Sequence, residues 1–222
     1  MVDFLRQTMI ILPPILLALT FHEWAHAWSA NKLGDPTAKM MGRLSLNPMV
    51  HLDPFGTLAL IVTQMIGWAK PVPVDTRYLR NPKRDLFWIA SAGPLANLTM
   101  ALGLGLIIRI GGANHFVGAF SSFNMGLPME SLPEILSAML FLCFYINIIL
   151  AWFNMIPIPP LDGSKVVMRF LSPEATAAYL QFSRYGFLIL LVLIFAFRGL
   201  LQSILMPPVA MTVYLFSGIR LF

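Results

Sequence analysis

The fold is decided by an apolar stretch near the N-terminus, residues 8–30, which reads TMIILPPILLALTFHEWAHAWSA. As a single helix it is long enough to cross the ~30 Å hydrocarbon core of a bilayer. It nevertheless contains His22, Glu23 and His26, and ionisable groups at membrane depth are costly unless they have a function. The stretch therefore predicts a membrane-spanning helix that carries a functional site.

The composition extends this prediction to the whole chain. Of its 222 residues, 58% are hydrophobic and 11% are charged, whereas about 25% of the residues of a soluble domain are charged. Because so few charged side chains cannot cover a soluble surface, most of the exterior is expected to face the lipid bilayer. The basic residues do not cluster on a polar domain, which excludes nucleic-acid binding; the net charge of +5 bears instead on orientation in the bilayer.

The apolar segments predict an all-α, polytopic membrane protein with about five transmembrane helices and one shorter sixth segment, 55–69. The five longer segments are 8–30, 86–110, 133–156, 175–197 and 200–222. Pro207-Pro208 predicts a kink or a break in the last of them. We interpret the chain as one domain, 1–222, with a motif-bearing core at 8–163 and C-terminal helices at 175–222.

The short segment 55–69 is predicted to re-enter the membrane rather than to cross it. Re-entry leaves Arg6, Arg109 and Arg198 on one side, three against twelve of the 15 Lys and Arg residues. A crossing segment would give five against ten, and Lys and Arg favour the cytoplasmic side. Directly after this segment, Pro and Val alternate over residues 71–74, which predicts a small membrane-associated β element with an exposed edge.

The spacing of the ionisable groups in the first segment is typical of a metal site. His22 and His26 lie one turn apart on one helix face and can both reach one ion, while Glu23 projects about 100° around the axis, within reach of a water molecule beside it. A catalytic zinc site usually takes a third protein ligand. Asp162, in the stretch NMIPIPPLDG at 154–163, is the strongest candidate because its prolines unwind the backbone at membrane depth. The alternative is an interfacial loop with a solvated Asp162.

These residues resemble the site-2 proteases, a family of intramembrane zinc metalloproteases. The resemblance rests on HEWAH at 22–26, AGPLAN at 92–97, NMIP at 154–157 and LDG at 161–163, which occur in the family's order. The stretch NPMVHLDPFGT at 47–57 further resembles a compact subgroup that has neither PDZ nor CBS domains.

The resemblance implies one Zn²⁺ per chain, held by His22, His26 and Asp162, with Glu23 as the catalytic base. It also implies a transmembrane protein as substrate, a multi-pass location in a bacterial or archaeal cell membrane, and an active site toward the cytoplasm. The oligomeric state is left open.

Further residues are candidates for supporting roles. The Asn154 amide is a catalytic candidate, as a donor to the oxyanion that develops during hydrolysis. His51 is a fourth ligand, a partner that orients a ligand, or a solvated loop residue. Gly93 and Asn97 either contact substrate or serve close helix packing. Val72 and Val74 form a candidate edge for pairing with an unwound substrate.

Two other functions use the same polar cluster. In a membrane-embedded metal transporter or sensor, the cluster would be a permeation or sensing site. Another kind of intramembrane zinc hydrolase would share Glu23 and both histidines, but it leaves the LDG motif at 161–163 unexplained.

Overall fold

The computed structural model describes residues 2–63, 67–127, 129 and 131–221, and these residues form a helical bundle. Its α-helices are α1 (Val2–Lys32), α2 (Thr37–Met40), α3 (Pro54–Thr63), α4 (Pro82–Gly111), α5 (Ala113–Asn124), α6 (Leu132–Asn154), α7 (Asp162–Met168), α8 (Pro173–Ser183), α9 (Gly186–Phe195) and α10 (Arg198–Ser217). Two short 3-10 helices lie at Pro48–Val50 and Thr76–Tyr78.

Four helices of the described chain, α1, α4, α6 and α10, are long and apolar enough to cross a membrane. A fifth span results if α8 and α9, which meet at an angle of 64°, are counted together. The predicted all-helical membrane fold with about five spans is confirmed at this level. The segment 175–197 is broken in two by the turn at Arg184 and Tyr185, whereas α10 runs through Pro207 and Pro208 without a break.

The helices α1 and α4 pack antiparallel, as two contacts along their length show. Asn97 Nδ2 donates to the Ala18 carbonyl at 3.1 Å, while further along α1 the His26 ring bonds to the Ile89 carbonyl at 2.7 Å. Because the two helices run in opposite directions, the connection 33–81 begins and ends at the same end of the bundle. The short α3 within it therefore adds no net crossing, as expected for a re-entrant segment.

The predicted β element is corrected by the structure. In the part of the chain that is described, no strand occurs, and the one β-type pairing is an isolated bridge between Leu52 and Ala69. Residues 70–75 have no ladder partner because side chains hold both ends of the segment. The Arg43 guanidinium donates to the Lys70 carbonyl, and the Asp35 carboxylate accepts from the Asp75 N–H at 2.8 Å.

Exposed aromatic side chains gather where α1 ends and α4 begins. Trp28, Trp68, Tyr78 and Trp88 are all 43–54% exposed, and the Lys32 ammonium lies 5.8 Å from the centre of the Trp28 ring. Partly exposed Trp and Tyr beside basic residues are typical of a membrane–water interface. This end of the bundle therefore corresponds to one membrane surface.

The main core lies where α4, α6 and α10 meet. Phe144, Ile108, Ile148 and Val209 are fully buried there. Gly105 permits this close packing, since a Cβ atom at that position would lie 2.9 Å from the Phe144 ring. The core therefore holds α4 in place. In the sequence, α4 lies between α1, which carries His22 and His26, and α7, which begins at Asp162.

We predict that Phe144→Ala lowers the free energy of unfolding by about 3–5 kcal/mol, because it removes a fully buried ring and leaves a cavity between three helices. Phe187→Ala is the matched control, since Phe187 on α9 is 55% exposed. Denaturant unfolding of both variants in the same detergent measures the difference. Equal losses for the two variants would contradict this view of the core.

Candidate metal centre

Three buried side chains from α1 and α7 converge on one point. Asp162 Oδ2 lies 3.1 Å from His22 Nε2 and 3.0 Å from His26 Nε2, and the two Nε2 atoms are 3.0 Å apart. All three residues are at most 7% exposed. Among the described residues they form the group of His, Cys, Asp and Glu side chains that could hold a metal ion.

Both histidine rings are oriented by hydrogen bonds on the opposite side of the ring. His22 Nδ1 lies 2.6 Å from the Asn97 side-chain oxygen, and His26 Nδ1 lies 2.7 Å from the Ile89 carbonyl oxygen. Since both partners are acceptors, each Nδ1 carries the proton and donates it. Each Nε2 therefore turns a lone pair toward Asp162, as a metal ligand requires.

This donor set fits a zinc ion. Two imidazole nitrogens and a carboxylate oxygen are preferred zinc ligands, and donors bound at ~2 Å in tetrahedral geometry lie roughly 3.3 Å apart. The separations of 3.0–3.1 Å are close to that value. Three lone pairs facing one another at this distance repel, so the cluster requires a positive charge among them.

Asn97 is the centre of a buried hydrogen-bond network that supports His22. The residue is 0% exposed, and its Nδ2 donates to the Ala18 carbonyl and to the Asn147 side-chain oxygen at 2.7 Å. Asn147 in turn donates to the Cys143 carbonyl on α6. Every polar atom of the Asn97 amide group is thus engaged, which fixes its side-chain oxygen opposite His22.

Two glycines allow the backbone to approach the centre. A Cβ atom on Gly93 would lie 2.5 Å from His26 Nε2 and 2.6 Å from His22 Nε2. A Cβ atom on Gly163 would collide with the Met155 carbonyl at the end of α6. These positions exclude every side chain larger than hydrogen, because α4 passes directly over the histidines and α7 folds back against α6.

Glu23 lies next to the cluster but outside it. The residue is 9% exposed and accepts no hydrogen bond from any part of the chain that is described. Its charge acts on His22 and on Arg43, which is buried in the loop after α2. Burial lowers the pKa of the Arg43 guanidinium, and the Glu23 carboxylate acts in the opposite direction. Glu23 lies outside the group of possible ligands, and its role as the catalytic base stays a prediction.

Comparison with known proteins agrees with this geometry. The model for "Peptidase family M50" matches residues 10–197. The chain belongs to peptidase family M50. It is the family of the site-2 proteases, and the predicted membership is therefore confirmed.

Several relatives of this M50 chain have descriptive names. "Putative zinc metalloprotease YwhC" of Bacillus subtilis (strain 168) is 36% identical over 197 residues, which cover 86% of this chain and 84% of the relative. "Putative zinc metalloprotease Rip2" of Mycolicibacterium smegmatis is 29% identical over 185 residues. That alignment covers 81% of this chain but spans only 64% of the length of the mycobacterial protein. No solved structure matches the chain significantly.

Several interpretations of single residues in the M50 chain are changed by the structure. Asp162 is 6% exposed, so it is not a solvated loop residue. His51 is 1% exposed and its Nε2 donates to the Ser45 carbonyl at 2.7 Å, so it is not solvated either, and it lies outside the group of possible ligands. Asn154 Nδ2 donates to the Leu150 carbonyl of its own helix at 2.9 Å. Its catalytic role stays a prediction.

The remaining candidates have defined surroundings. Asn97 is fully buried and Gly93 faces the histidines, so both serve the centre from within the bundle. Val74 packs against the small core of Ala30, Leu79 and Ile89, while Val72 is half-buried. The pairing of these two valines with substrate stays a prediction. The Ile89 carbonyl, which accepts from His26, escaped the sequence analysis because a backbone carbonyl gives no signal in the sequence.

We predict that Asn97→Ala lowers the affinity for zinc about 10-fold to 100-fold, since partners that orient a histidine ligand contribute to this extent. Thr99→Ala on the same helix is the control, because Thr99 is exposed. Competition with a zinc chelator in detergent solution measures both affinities. An Asn97→Ala protein with wild-type affinity would show that the network does not orient His22.

Gly93→Ala is expected to displace His22 and His26 and to reduce zinc binding at least ~10-fold, because the added methyl group overlaps both Nε2 atoms. Gly103→Ala is a close control: it lies on the same helix, and a Cβ atom there meets nothing within 4 Å. The zinc content of the two purified variants separates the local overlap from a general effect of alanine in α4.

Proposed function

We propose that the chain is a zinc-dependent endopeptidase that hydrolyses peptide bonds in or near transmembrane segments of membrane proteins, as in regulated intramembrane proteolysis. The observation that carries the proposal is the convergence of His22, His26 and Asp162 at membrane depth, with the free carboxylate of Glu23 beside them. Family membership and the names of the relatives, which describe zinc metalloproteases, support it.

In this proposal His22, His26 and Asp162 hold the ion, and the bonds to Asn97 and to the Ile89 carbonyl keep both rings facing it. When bound, zinc supplies a Lewis acid that polarises the substrate carbonyl and acidifies water. Glu23 removes a proton from the water molecule whose oxygen attacks the carbonyl carbon. It then gives that proton to the leaving nitrogen as the carbon–nitrogen bond breaks.

The position of the centre bears on how substrate and water reach it. His26 lies six residues before the end of α1, or about 9 Å along the helix axis, from the end marked by exposed tryptophans. The excess of basic residues in the connections at this end supports a cytoplasmic orientation in a cell membrane. A helical substrate must unwind first, because the peptide groups of a helix are already hydrogen-bonded.

A metal transporter or sensor is the rival function. It would use Glu23 and His51 as ligands together with the other three residues. The possible ligand group of the described chain contains neither of them, which favours a hydrolytic centre with three protein ligands.

Metal content tests the proposal without knowledge of the natural substrate. We expect about one zinc per chain in wild type and in Glu23→Gln, and a clear loss in Asp162→Ala, because a base can be removed without removing a ligand. Loss of zinc from Glu23→Gln would favour a transport or sensing site. Zinc retained by Asp162→Ala would remove that residue from the centre.

A cleavage assay tests the reaction itself. The probe is a synthetic single-span peptide in liposomes, Leu-rich and interrupted by Gly and Pro, with its fragments identified by mass spectrometry. Glu23→Gln is expected to lower the rate about 100-fold to 10,000-fold, whereas Glu174→Gln, which changes an exposed carboxylate on α8, leaves it unchanged. Equal rates for all three proteins would contradict the role of Glu23.

A further inference from the structure

Positive charge extends along α7 from the metal centre toward the end of the bundle marked by exposed tryptophans. Lys165 Nζ lies 3.7 Å from Asp162 Oδ1, the carboxylate oxygen that does not face the histidines. Arg169 follows four residues later and therefore lies on the same side of the helix. Both side chains are exposed. Two cations thus lead outward from a ligand of the centre.

A third cation comes from the start of α4. Lys83 is exposed, and its Nζ donates to the Leu171 carbonyl at 2.5 Å, two residues beyond Arg169. The Phe87 and Phe170 rings meet edge to face nearby, with their centres 6.0 Å apart. The start of α4 therefore packs against the end of α7. The three cations are called the basic surface, namely Lys83, Lys165 and Arg169.

The protein supplies little negative charge to neutralise the basic surface. Among the described residues, its salt bridges are limited to the one between Lys165 and the metal ligand Asp162. Asp85 is 1% exposed and accepts from Arg84 at 2.9 Å. Glu174 lies in the first turn of α8, whose N-terminus attracts a negative charge. Neighbouring cations without a facing anion repel one another, and an anionic ligand would relieve this repulsion.

The spacing of the basic surface matches an extended peptide. Lys165 and Arg169 are four residues apart, which corresponds to a rise of about 6 Å along a helix. Alternate side chains of an extended chain point the same way and lie ~6.6 Å apart, so acidic residues at i and i+2 can face both cations. A substrate that is unwound at the centre leaves it as an extended chain. A lipid headgroup has no such repeat.

We propose that the basic surface binds an acidic segment of the substrate, immediately outside the span that is cleaved. This inference rests on the proposed endopeptidase function and names a class of substrate, membrane proteins with Asp or Glu residues next to the cleaved span at this membrane surface. Because Lys165 contacts a ligand of the centre, a chain that leaves the centre along α7 passes Lys165 first and Arg169 and Lys83 afterwards. The attraction holds the unwound chain in place during hydrolysis.

The test uses peptides that share the Leu-rich span of the cleavage assay and carry at both ends a flank of Glu, of Gln or of Lys. Their kcat and KM are measured in a neutral detergent, so that no anionic lipid takes part. The variant is Lys83→Glu combined with Arg169→Glu. Its matched control is Lys39→Glu combined with Lys70→Glu, which makes the same change of charge at two exposed lysines of the connection 33–81.

We expect wild type to cleave the Glu-flanked peptide with a KM about 3-fold to 10-fold below that for the Lys-flanked peptide, because each exposed ion pair contributes modestly. The preference should nearly vanish in about 0.5 M NaCl, which screens exposed charges. The Lys83 and Arg169 variant should prefer the Lys flank, whereas the control keeps the wild-type preference. Because the preference is a ratio within one protein, partial loss of folded protein does not change it.

Two results would overturn the inference. Equal KM values of wild type for all flanks would show that the surface does not read charge, while the cleavage itself would leave the endopeptidase proposal intact. The same preference in both double variants would show that the net charge of this end of the bundle acts, and not the basic surface.

Failure of the proposed function gives a different result. If wild type holds zinc but cleaves none of the peptides, the endopeptidase proposal fails for these substrates. Binding of fluorescent peptides to zinc-loaded Glu23→Gln then decides the inference, since binding needs no turnover, and equal Kd values for all flanks would overturn it. Short-chain phosphatidylserine is the lipid probe. Its binding, lost in the Lys83 and Arg169 variant while all peptides bind alike, would assign the surface to lipid headgroups instead.

Discussion

The close approach of α4 to α1 at Gly93 is the constraint on which the rest of the structure depends. With only a hydrogen atom at this position, the α4 backbone passes directly over His22 and His26. The same approach brings Asn97 within 2.6 Å of His22 and the Ile89 carbonyl within 2.7 Å of His26. A wider separation would break both bonds, release both rings and lose the convergence with Asp162.

Much of this centre could be predicted from the sequence, because the i, i+4 spacing places both histidines on one helix face whatever surrounds it. Asp162 is a different case, since the proline-rich stretch before it marks an unwound backbone without fixing its distance from α1. The role of Asn97 could not be chosen from the sequence either. A buried amide can serve packing or a ligand, and the choice depends on which residue faces it across the helix pair. The Ile89 carbonyl could not be predicted as the partner of His26, because any residue provides a backbone carbonyl.

The errors in the fold have related causes. The alternation of Pro and Val over 71–74 resembles an edge strand, but side chains of Asp35 and Arg43 hold the ends of this segment, and side-chain partners leave no periodic pattern. Pro207 and Pro208 remain within α10, as prolines in membrane helices often do where neighbouring helices support the backbone. The turn at Arg184 and Tyr185 contains neither proline nor a charge cluster. Hydropathy alone therefore predicts one continuous segment, 175–197, where the structure has the two helices α8 and α9.

The two Nδ1 hydrogen bonds also make the stability of the fold depend on the supply of metal ion. They fix each ring in the tautomer that a cation prefers, so the folded chain binds the ion far better than an unfolded chain does. A ligand bound only by the folded state stabilises it by about 2.7 kcal/mol at a concentration 100 times its Kd. The lifetime of this protein in the membrane would then follow the cell's supply of free metal, and scarcity of the ion would expose the chain to degradation.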